Sequence, residues 1–323
     1  MKRILVTGAA GFIGSKISEL LLQDGVAVVG IDNMNSGYDP RLKEYRLKGL
    51  QDKTGFEFVR GDITDRSLLD QLFEAHPFDA VINIAGVPGV RFSVENPWVF
   101  LETNTTGCLN LLEQCRSHQV HKFIQASTSS IYGENAPQPT PETADTNHPL
   151  QPYAVSKKGA ETMSYAYHYL YGIDVSILRF FTVYGPAGRP DMAMFRFIKW
   201  IAEGQELQVN GDGEQTRGFT YIDDIARGTI LALKDVGYEI VNLGGHEVIS
   251  INALIQKLEA IIGSKASIHY RPIFKADMLT NLADISKARA LFAWNPAVEL
   301  SEGLERTVDW YRRERGWLSD IRL

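Results

Sequence analysis

Short apolar runs alternate with stretches of helical periodicity through the first half of the chain. Residues 4–6, 26–31, 56–60, 80–84, 122–126 and 175–179 read as strands. Between them, residues 13–22 place Ile13, Ile17, Leu20 and Leu21 at helical spacing, and residues 66–75, 103–118 and 153–170 carry the same period. Repeated strand–helix alternation predicts a parallel sheet covered on both faces, with right-handed crossovers.

Beyond residue 180 the alternation loosens. Prolines cluster at 137, 139, 141, 149 and 152, marking a long surface loop that feeds the helix at 153–170. Residues 185–191 are turn-rich, Val209-Asn210-Gly211-Asp212-Gly213 reads as a turn between short strands, and residues 251–262 form an amphipathic helix. The organisation expected is a sheet domain over residues 1–180 and a smaller unit over 181–323, with the chain returning to the first near 221–245. There is no internal repeat or low-complexity segment.

Composition narrows the function classes. The 323 residues are 44% hydrophobic and 22% charged, which excludes disorder and collagen-like architecture. The formal net charge of −6 argues against nucleic-acid binding through bulk charge. No run of about 18 apolar residues exists, so no membrane span is expected. Met1-Lys2-Arg3 leads straight into the first apolar run, where a secretory leader would need an apolar core. A cytoplasmic location is the expectation. Cys108 and Cys115 lie seven apart in a helical stretch, roughly 10 Å along its axis, too far for a disulfide, and read as buried hydrophobes. The seven His residues show no paired ligand spacing, so no metal is expected.

The first candidate chemistry is Gly8-Ala9-Ala10-Gly11-Phe12-Ile13-Gly14, between the first strand and the first helix. Glycines there let the backbone approach a pyrophosphate, whose charge the helix N-terminus stabilises. The spacing is G-x-x-G-x-x-G, and Asp32 ends the second strand. A carboxylate at that point accepts ribose hydroxyls and repels a 2′-phosphate. No Arg or Lys follows before Arg41, which favours NAD over NADP. Asp62, with Ile63 after the third strand, reads either as an adenine contact or as a turn cap.

A second constellation is Tyr153-Ala154-Val155-Ser156-Lys157, a phenol and an ammonium four apart on one helix face. A neighbouring cation favours the phenolate, and a tyrosine so tuned can take a proton from a sugar hydroxyl. A third is Ser127-Thr128-Ser129-Ser130, directly after the fifth strand, where open α/β sheets bind ligands. It reads as a proton-sharing hydroxyl cluster or as a local turn.

These residues resemble, over essentially the whole length, the extended short-chain dehydrogenases/reductases of the nucleotide-sugar epimerase/dehydratase group. That implies a Rossmann-type doubly wound α/β fold with a smaller α/β C-terminal substrate domain, NAD as cofactor and a UDP-sugar as substrate. It further implies a homodimer through helices near 103–118 and 153–170. The group's catalytic set maps to Thr128, Tyr153 and Lys157. The cofactor set maps to Gly8, Gly11, Phe12, Ile13, Gly14, Asp32, Asn33, Asn35, Asp62, Ile63, Ala85 and Phe180, together with Tyr153 and Lys157. Asp32-Asn33-Met34-Asn35 with Tyr38-Asp39, Gly89-Val90-Arg91 through Pro97, and Tyr184-Gly185-Pro186-Ala187-Gly188-Arg189-Pro190-Asp191 resemble the branch acting on UDP-glucuronate.

On that resemblance Arg91, Arg217 and Asp277 meet the substrate, and Val209 meets the uracil. Thr182, where UDP-galactose epimerases of the group usually carry Asn, joins Thr128, Ser129 and Ser130 in a hydroxyl-lined pocket. Arg189 reads as a partner for a substrate carboxylate or as a surface ion pair. Oxidation at C4 of glucuronate gives a β-keto acid prone to losing CO₂, so its carboxylate must be held out of alignment. Related dehydratases carry Asp-Glu where this chain has Ser129-Ser130, which disfavours dehydration. Ser130 also disfavours decarboxylation. The reaction expected is C4 epimerisation of UDP-glucuronate to UDP-galacturonate. The competing expectations are a neutral UDP-hexose 4-epimerase, a decarboxylase and a non-catalytic NAD sensor. Departures at Ile84-Ala85-Gly86, Arg217-Gly218-Phe219 and Lys275-Ala276-Asp277 touch the cofactor and substrate edges.

Overall fold

A computed structural model of the chain describes residues 2–273 and 280–323; Asp277, with Lys275 and Ala276, lies outside the described residues. Six apolar runs become strands of one sheet: β1 Arg3–Thr7, β2 Ala27–Asp32, β3 Phe56–Arg60, β4 Ala80–Asn83, β5 Lys122–Thr128 and β6 Asp174–Phe180. A seventh strand, Tyr238–Leu243, pairs in parallel with β6 and forms one edge. From that edge the order runs β6, β5, β4, β1, β2, β3, every pairing parallel. Leu5, Val6, Val81, Ile82, Phe123 and Ile124 are all fully buried, because both faces are covered and no alternation is needed.

The order reverses direction at β1, which has β2 on one side and β4 on the other. Ligands of open α/β sheets bind outside the carboxyl ends of the strands at such a switch point. Here those ends carry Thr7, Asp32, Asn83 and Thr128.

Helices Arg66–Ala75, Gly107–Ser117 and Pro152–Tyr171 cover one face through a core that includes Leu69, Leu111 and Ala160. Helix Phe12–Gln23 covers the other, joined by Ile222–Leu231 and Ser286–Phe292. The chain therefore comes back to the sheet twice. Its second return, which the sequence pattern does not signal, buries Ala288, Phe292 and Trp294 beside Ile4 and Val6. The remaining core packs helices Ala193–Ala202, Ile251–Ile262 and Leu300–Leu318 around Phe195, Leu254, Leu304 and Tyr311.

Two local outcomes differ from the sequence pattern. The helix expected over 103–118 begins as a π-helical stretch, Leu101–Thr106, and is α-helical only over Gly107–Ser117. Asn104 in that stretch reaches out to Val87 N and O and to Ser156 Oγ, at 2.7, 3.1 and 2.9 Å. Widened turns of this kind gather at functional sites. Of the turn expected over residues 209–213, Val209 and Asn210 belong to strand Glu206–Asn210 and only the rest separates it from Thr216–Gly218, and these two strands do not pair with each other. The first pairs in parallel with Ser267–Arg271, and the second lies between Val248–Ser250 and Thr280–Asn281. Cys108 and Cys115 are free, fully buried thiols on one helix. No described helix is long and apolar enough to cross a membrane.

Candidate active site

The glycine turn is held by its own backbone. Gly8 has φ +67°, and an added Cβ would lie 2.9 Å from Ala85 N. A Cβ on Gly11 would lie 2.9 Å from the Gly8 carbonyl oxygen, and one on Gly14 would collide with the same atom. No side chain caps the helix that starts at Phe12. Its first-turn N–H groups therefore face the place where a pyrophosphate fits. Ala85 N donates to Thr7 Oγ1 at 3.0 Å, which ties the end of β4 to the end of β1. Ile13 is half-buried on the first turn of that helix, and Phe180 is buried at the end of β6.

Asp32 ends β2, buried, accepting from Ala10 N at 3.2 Å and Met34 N at 2.8 Å. Lys43 donates to its Oδ1 at 3.1 Å. The sequence does not single out this cation, because Arg41 comes first; Arg41 instead pairs with Asp39 at 2.7 Å. Helix Arg41–Gln51 folds Lys43 back over Asp32. Asn33 donates to Asp62 Oδ2 at 2.6 Å, and Thr64 N donates to Asp62 Oδ1 at 2.9 Å. Asp62 is thus both a turn cap and a partner of the loop that holds Asn33 and Asn35. Ile63 is buried beneath it against Gly107. The glycine cradle, the uncapped helix end and the carboxylate together fit a dinucleotide.

Tyr153 enters on the first turn of Pro152–Tyr171, and its ring meets Phe100 edge-on at 6.1 Å. Burial is the larger effect and holds its pKa above the ordinary value of 10, although a hydrogen bond shared with Thr128 and the charge of Arg189 pull it back down. The four-residue interval makes Lys157 the expected cation acting on Tyr153. Lys157 instead donates to the Ala126 carbonyl at 3.1 Å, and burial pushes its own pKa down to about 8, opposed by the neighbouring Cys108 sulfur and the Glu161 carboxylate. A Cβ on Gly86 would lie 3.0 Å from Lys157 Nζ and 2.8 Å from Asn104 Oδ1, so this departure leaves room for the ammonium.

The serine and threonine hydroxyls divide. Ser127 donates back to Glu161 at 2.6 Å, and Ser129 accepts from Asn281 at 3.0 Å. Thr128 Oγ1 donates to Ser130 Oγ at 3.2 Å and caps the short 3₁₀ turn Ser129–Tyr132. Thr128 and Ser130 therefore face the cleft with Tyr153, while Ser129 is engaged by the returning C-terminal segment. Thr182 follows β6 and accepts from Thr220 N through its carbonyl at 2.8 Å.

Across from this wall, Arg189 grips Asp191 with both arms of its fork, Nε lying 3.1 Å from Oδ1. Arg196, not anticipated from sequence, stacks on Trp200 at 4.4 Å. Its Nε is buried without a hydrogen-bond partner among the described residues. Burial lowers its pKa, as do the charges of Arg91 and Arg271. Arg91 faces the Asn210 amide, 2.6 Å from its oxygen when that group is turned toward the guanidinium. Arg217 donates to its neighbour's carbonyl at 2.7 Å, and Val209 is buried on strand Glu206–Asn210. The carboxylate of Asp191 offsets part of the repulsion that Arg91 and Arg271 exert on Arg196, and a cluster of convergent arginines is chemically suited to receive an anion.

His121, Asp174 and Asp235, and separately His246, Glu247 and Glu299, come close enough to share an ion. Asp174 is already committed to Lys122 and to the Val236 and Gly237 N–H groups, and Glu247 accepts from Leu300 N. Neither cluster supports a metal site.

The fold and the cleft define a cofactor-dependent enzyme that acts on nucleotide-linked sugars. The chain belongs to the NAD dependent epimerase/dehydratase family, whose model matches residues 4–244. It is 52% identical over 320 residues to a UDP-glucuronate 4-epimerase from Thermodesulfobacterium geofontis, covering 99% of each chain. It also superposes on the crystal structure of a UDP-glucuronic acid 4-epimerase from Bacillus cereus in complex with UDP-glucuronic acid and NAD. That match has a TM-score of 0.91 and 40% identity, and covers 97% of this chain and 99% of that one. A UDP-glucose 4-epimerase from Thermotoga maritima, solved with UDP-glucose, matches with a TM-score of 0.90 and 33% identity, covering 97% of this chain and 99% of that one.

Proposed function

We propose that this chain interconverts UDP-glucuronate and UDP-galacturonate by NAD-dependent epimerisation at C4. The observation that carries the reading is the placement of Tyr153 against Thr128 at the end of β5. Tyr153 shares a hydrogen bond with Thr128 and feels the charge of Arg189, at the carboxyl end of the sheet beside the glycine turn. Gly8, Gly11 and Gly14 admit the pyrophosphate of NAD, and Asp32 with Lys43 meets its ribose. Lys157 holds the nicotinamide end. NAD, when bound, supplies the reversible hydride acceptor that the chemistry at C4 requires.

Tyr153 takes the proton from the sugar O4 and later returns it, with Thr128 sharing the hydrogen bond throughout. The 4-keto sugar turns about its diphosphate link between the two half-reactions. Arg91, Arg196, Arg217 and Arg271 hold the diphosphate, and Val209 lies along the uracil. Thr128, Ser130 and Thr182, with Arg189, keep the carboxylate out of alignment with the C4 carbonyl, which restrains loss of CO₂. Ser129 and Ser130 offer no carboxyl group for dehydration.

A neutral UDP-hexose is the second reading, favoured by one observation: Asp191 already occupies the Arg189 fork. Proton NMR of products formed separately from UDP-glucuronate and UDP-glucose decides. UDP-galacturonate from the acid, with the neutral sugar unchanged, supports the acid-specific reading. UDP-galactose from the neutral sugar alone overturns it, and a UDP-pentose overturns the restraint of the carboxylate.

We also infer a homodimer. Trp98, Leu101, Val155, Tyr165, Tyr169 and Leu170 lie exposed on or beside the 97–117 and 152–171 helices, with Trp98 and Tyr169 each 77% exposed. Apolar surface of that extent marks an interface. Light scattering on the wild type and a Trp98→Ser variant tests this. Two buried free thiols fit a reducing, cytoplasmic compartment.

A further inference from the structure

Arg46 lies on helix Arg41–Gln51 and is only 6% exposed. Its Nε and Nη2 donate to the Ala187 carbonyl at 2.9 and 2.7 Å, and Nη2 also reaches the Gly188 carbonyl at 3.3 Å. Nη1 donates to Tyr38 Oη at 2.7 Å and to the Ala10 carbonyl at 3.3 Å. The guanidinium carbon lies 5.9 Å from the centre of the Phe12 ring and 5.5 Å from that of Tyr38. None of these acceptors is a carboxylate. A guanidinium taken out of water ordinarily carries an acid partner, as Arg179 does with Glu161 at 2.8 Å. Arg46 instead distributes its donors over two loops, the glycine turn and the loop that presents Arg189.

We propose that Arg46 is a positioning residue that locks the substrate loop to the cofactor loop, so that NAD retention and UDP-sugar binding are coupled. The proposal rests on the reading of those two sites given above. On the substrate side, Ala187 has φ +56°, a left-handed conformation that a non-glycine residue keeps only when its surroundings hold it. The two N–H groups on its carbonyl supply that hold. Two residues further on stands Arg189, whose charge acts on Tyr153. On the cofactor side, Ala10 lies inside the glycine turn and its N–H donates to Asp32. The charge of Arg46, which no acid neutralises among the described residues, faces the turn that receives the anionic pyrophosphate. Cofactor binding thus fixes the guanidinium, which fixes residues 187–188. By linkage, a ligand that orders the substrate loop must tighten NAD by the same factor.

The test is loss of NAD from the holoenzyme into NAD-free buffer, with and without saturating UDP. In the wild type UDP slows the loss about tenfold. In Arg46→Met the ratio falls to within twofold. In Arg46→Lys, which keeps the charge but cannot span both loops, it falls below about threefold. A purely structural role lowers the melting temperature and the absolute NAD retention while leaving the UDP ratio at its wild-type value. That result overturns the proposal, as does a wild type whose NAD loss ignores UDP. If Arg46→Met does not fold, Arg46→Lys decides: a ratio below threefold supports the proposal, and an undiminished tenfold effect overturns it. A wild type that binds neither NAD nor UDP overturns the reading of the sites and this proposal with it. One that binds both, but whose variants keep the ratio, overturns the proposal alone.

Discussion

The two walls of the cleft are built differently. The wall bearing Thr128, Tyr153 and Lys157 stands on β5, β6 and a twenty-residue helix. Behind it, Glu161 pairs with Arg179, Ser127 donates to Glu161, and Tyr132 joins Arg179 to Asn242 at 3.0 and 2.6 Å. Those groups are buried, and each has its partner. The opposite wall is the loop before Arg189 with short strands drawn from distant parts of the chain. Its arginines repel one another, and Arg189 is held by an exposed neighbour. Proton transfer tolerates little misplacement, so it sits on packed elements. Substrate selection sits on loops that can differ between relatives without disturbing the core.

That contrast can be broken most severely at Tyr153. Tyr153→Phe is expected to lower kcat about 10³-fold, roughly 4 kcal/mol of barrier, while NAD stays bound. Steady-state kinetics with cofactor quantification checks this, and full activity removes the chemistry from that wall. Next comes the support behind it. Glu161→Leu strips the buried Arg179 of its partner and should cost about 3 kcal/mol in urea unfolding. An unchanged midpoint shows that the rigid wall does not depend on the pair.

The third lever is pH. Burial holds Lys157 near pKa 8, below its ordinary 10.5. Above pH 8 the folded site loses the ammonium, so kcat should fall about tenfold per unit. Lys157→Arg should move that limb upward. The stability sign is opposite. Between pH 8 and 10.5 the unfolded chain binds the extra proton, so this group's contribution to stability rises with pH and its charged form costs most below pH 8. The difference in unfolding free energy between wild type and Lys157→Met, followed over that window, reads this slope.

On the loop wall, Arg189→Gln is expected to raise KM for the acidic sugar about fivefold, with less effect on a neutral one. If it lowers kcat for both sugars as deeply as Tyr153→Phe, the division between the walls fails. The smallest effect is expected at Gly86→Ala. The new methyl would lie 2.8 Å from Asn104 Oδ1 and 3.0 Å from Lys157 Nζ, side-chain ends and not backbone. A change below about twofold in kcat is expected, and a larger one means that Lys157 has no freedom to shift.

Much of the rigid wall is legible in the amino-acid order. The apolar runs before Asp32 and before Ser127-Thr128, the glycine spacing, and the Tyr153–Lys157 interval are local patterns with a period of two, three or four residues. They become strand ends, a helix start and one helix face whatever surrounds them. The loop wall is less legible. Arg189 reads as a carboxylate partner or an ion pair, and the fold gives it both an acid, Asp191, and a view of Tyr153. Arg196 and Arg271 carry no local signal, since an arginine on an amphipathic helix or a short strand usually faces water. Helix Leu300–Leu318 does have its pattern, with Leu300, Leu304, Val308 and Tyr311 on one buried stripe.

The amino-acid order alone determined the parallel sheet, the dinucleotide turn and the spacing of phenol and ammonium, because each depends on neighbours a few residues away. Tertiary structure decided which cation acts on which group. Lys43 lies eleven positions from Asp32, and Arg46 lies 141 from Ala187. Charges act through distance and dielectric, and both are set by how remote segments pack. Tyr153 therefore feels Arg189, Lys157 answers to Ala126, and Arg46 joins two loops that no sequence interval connects.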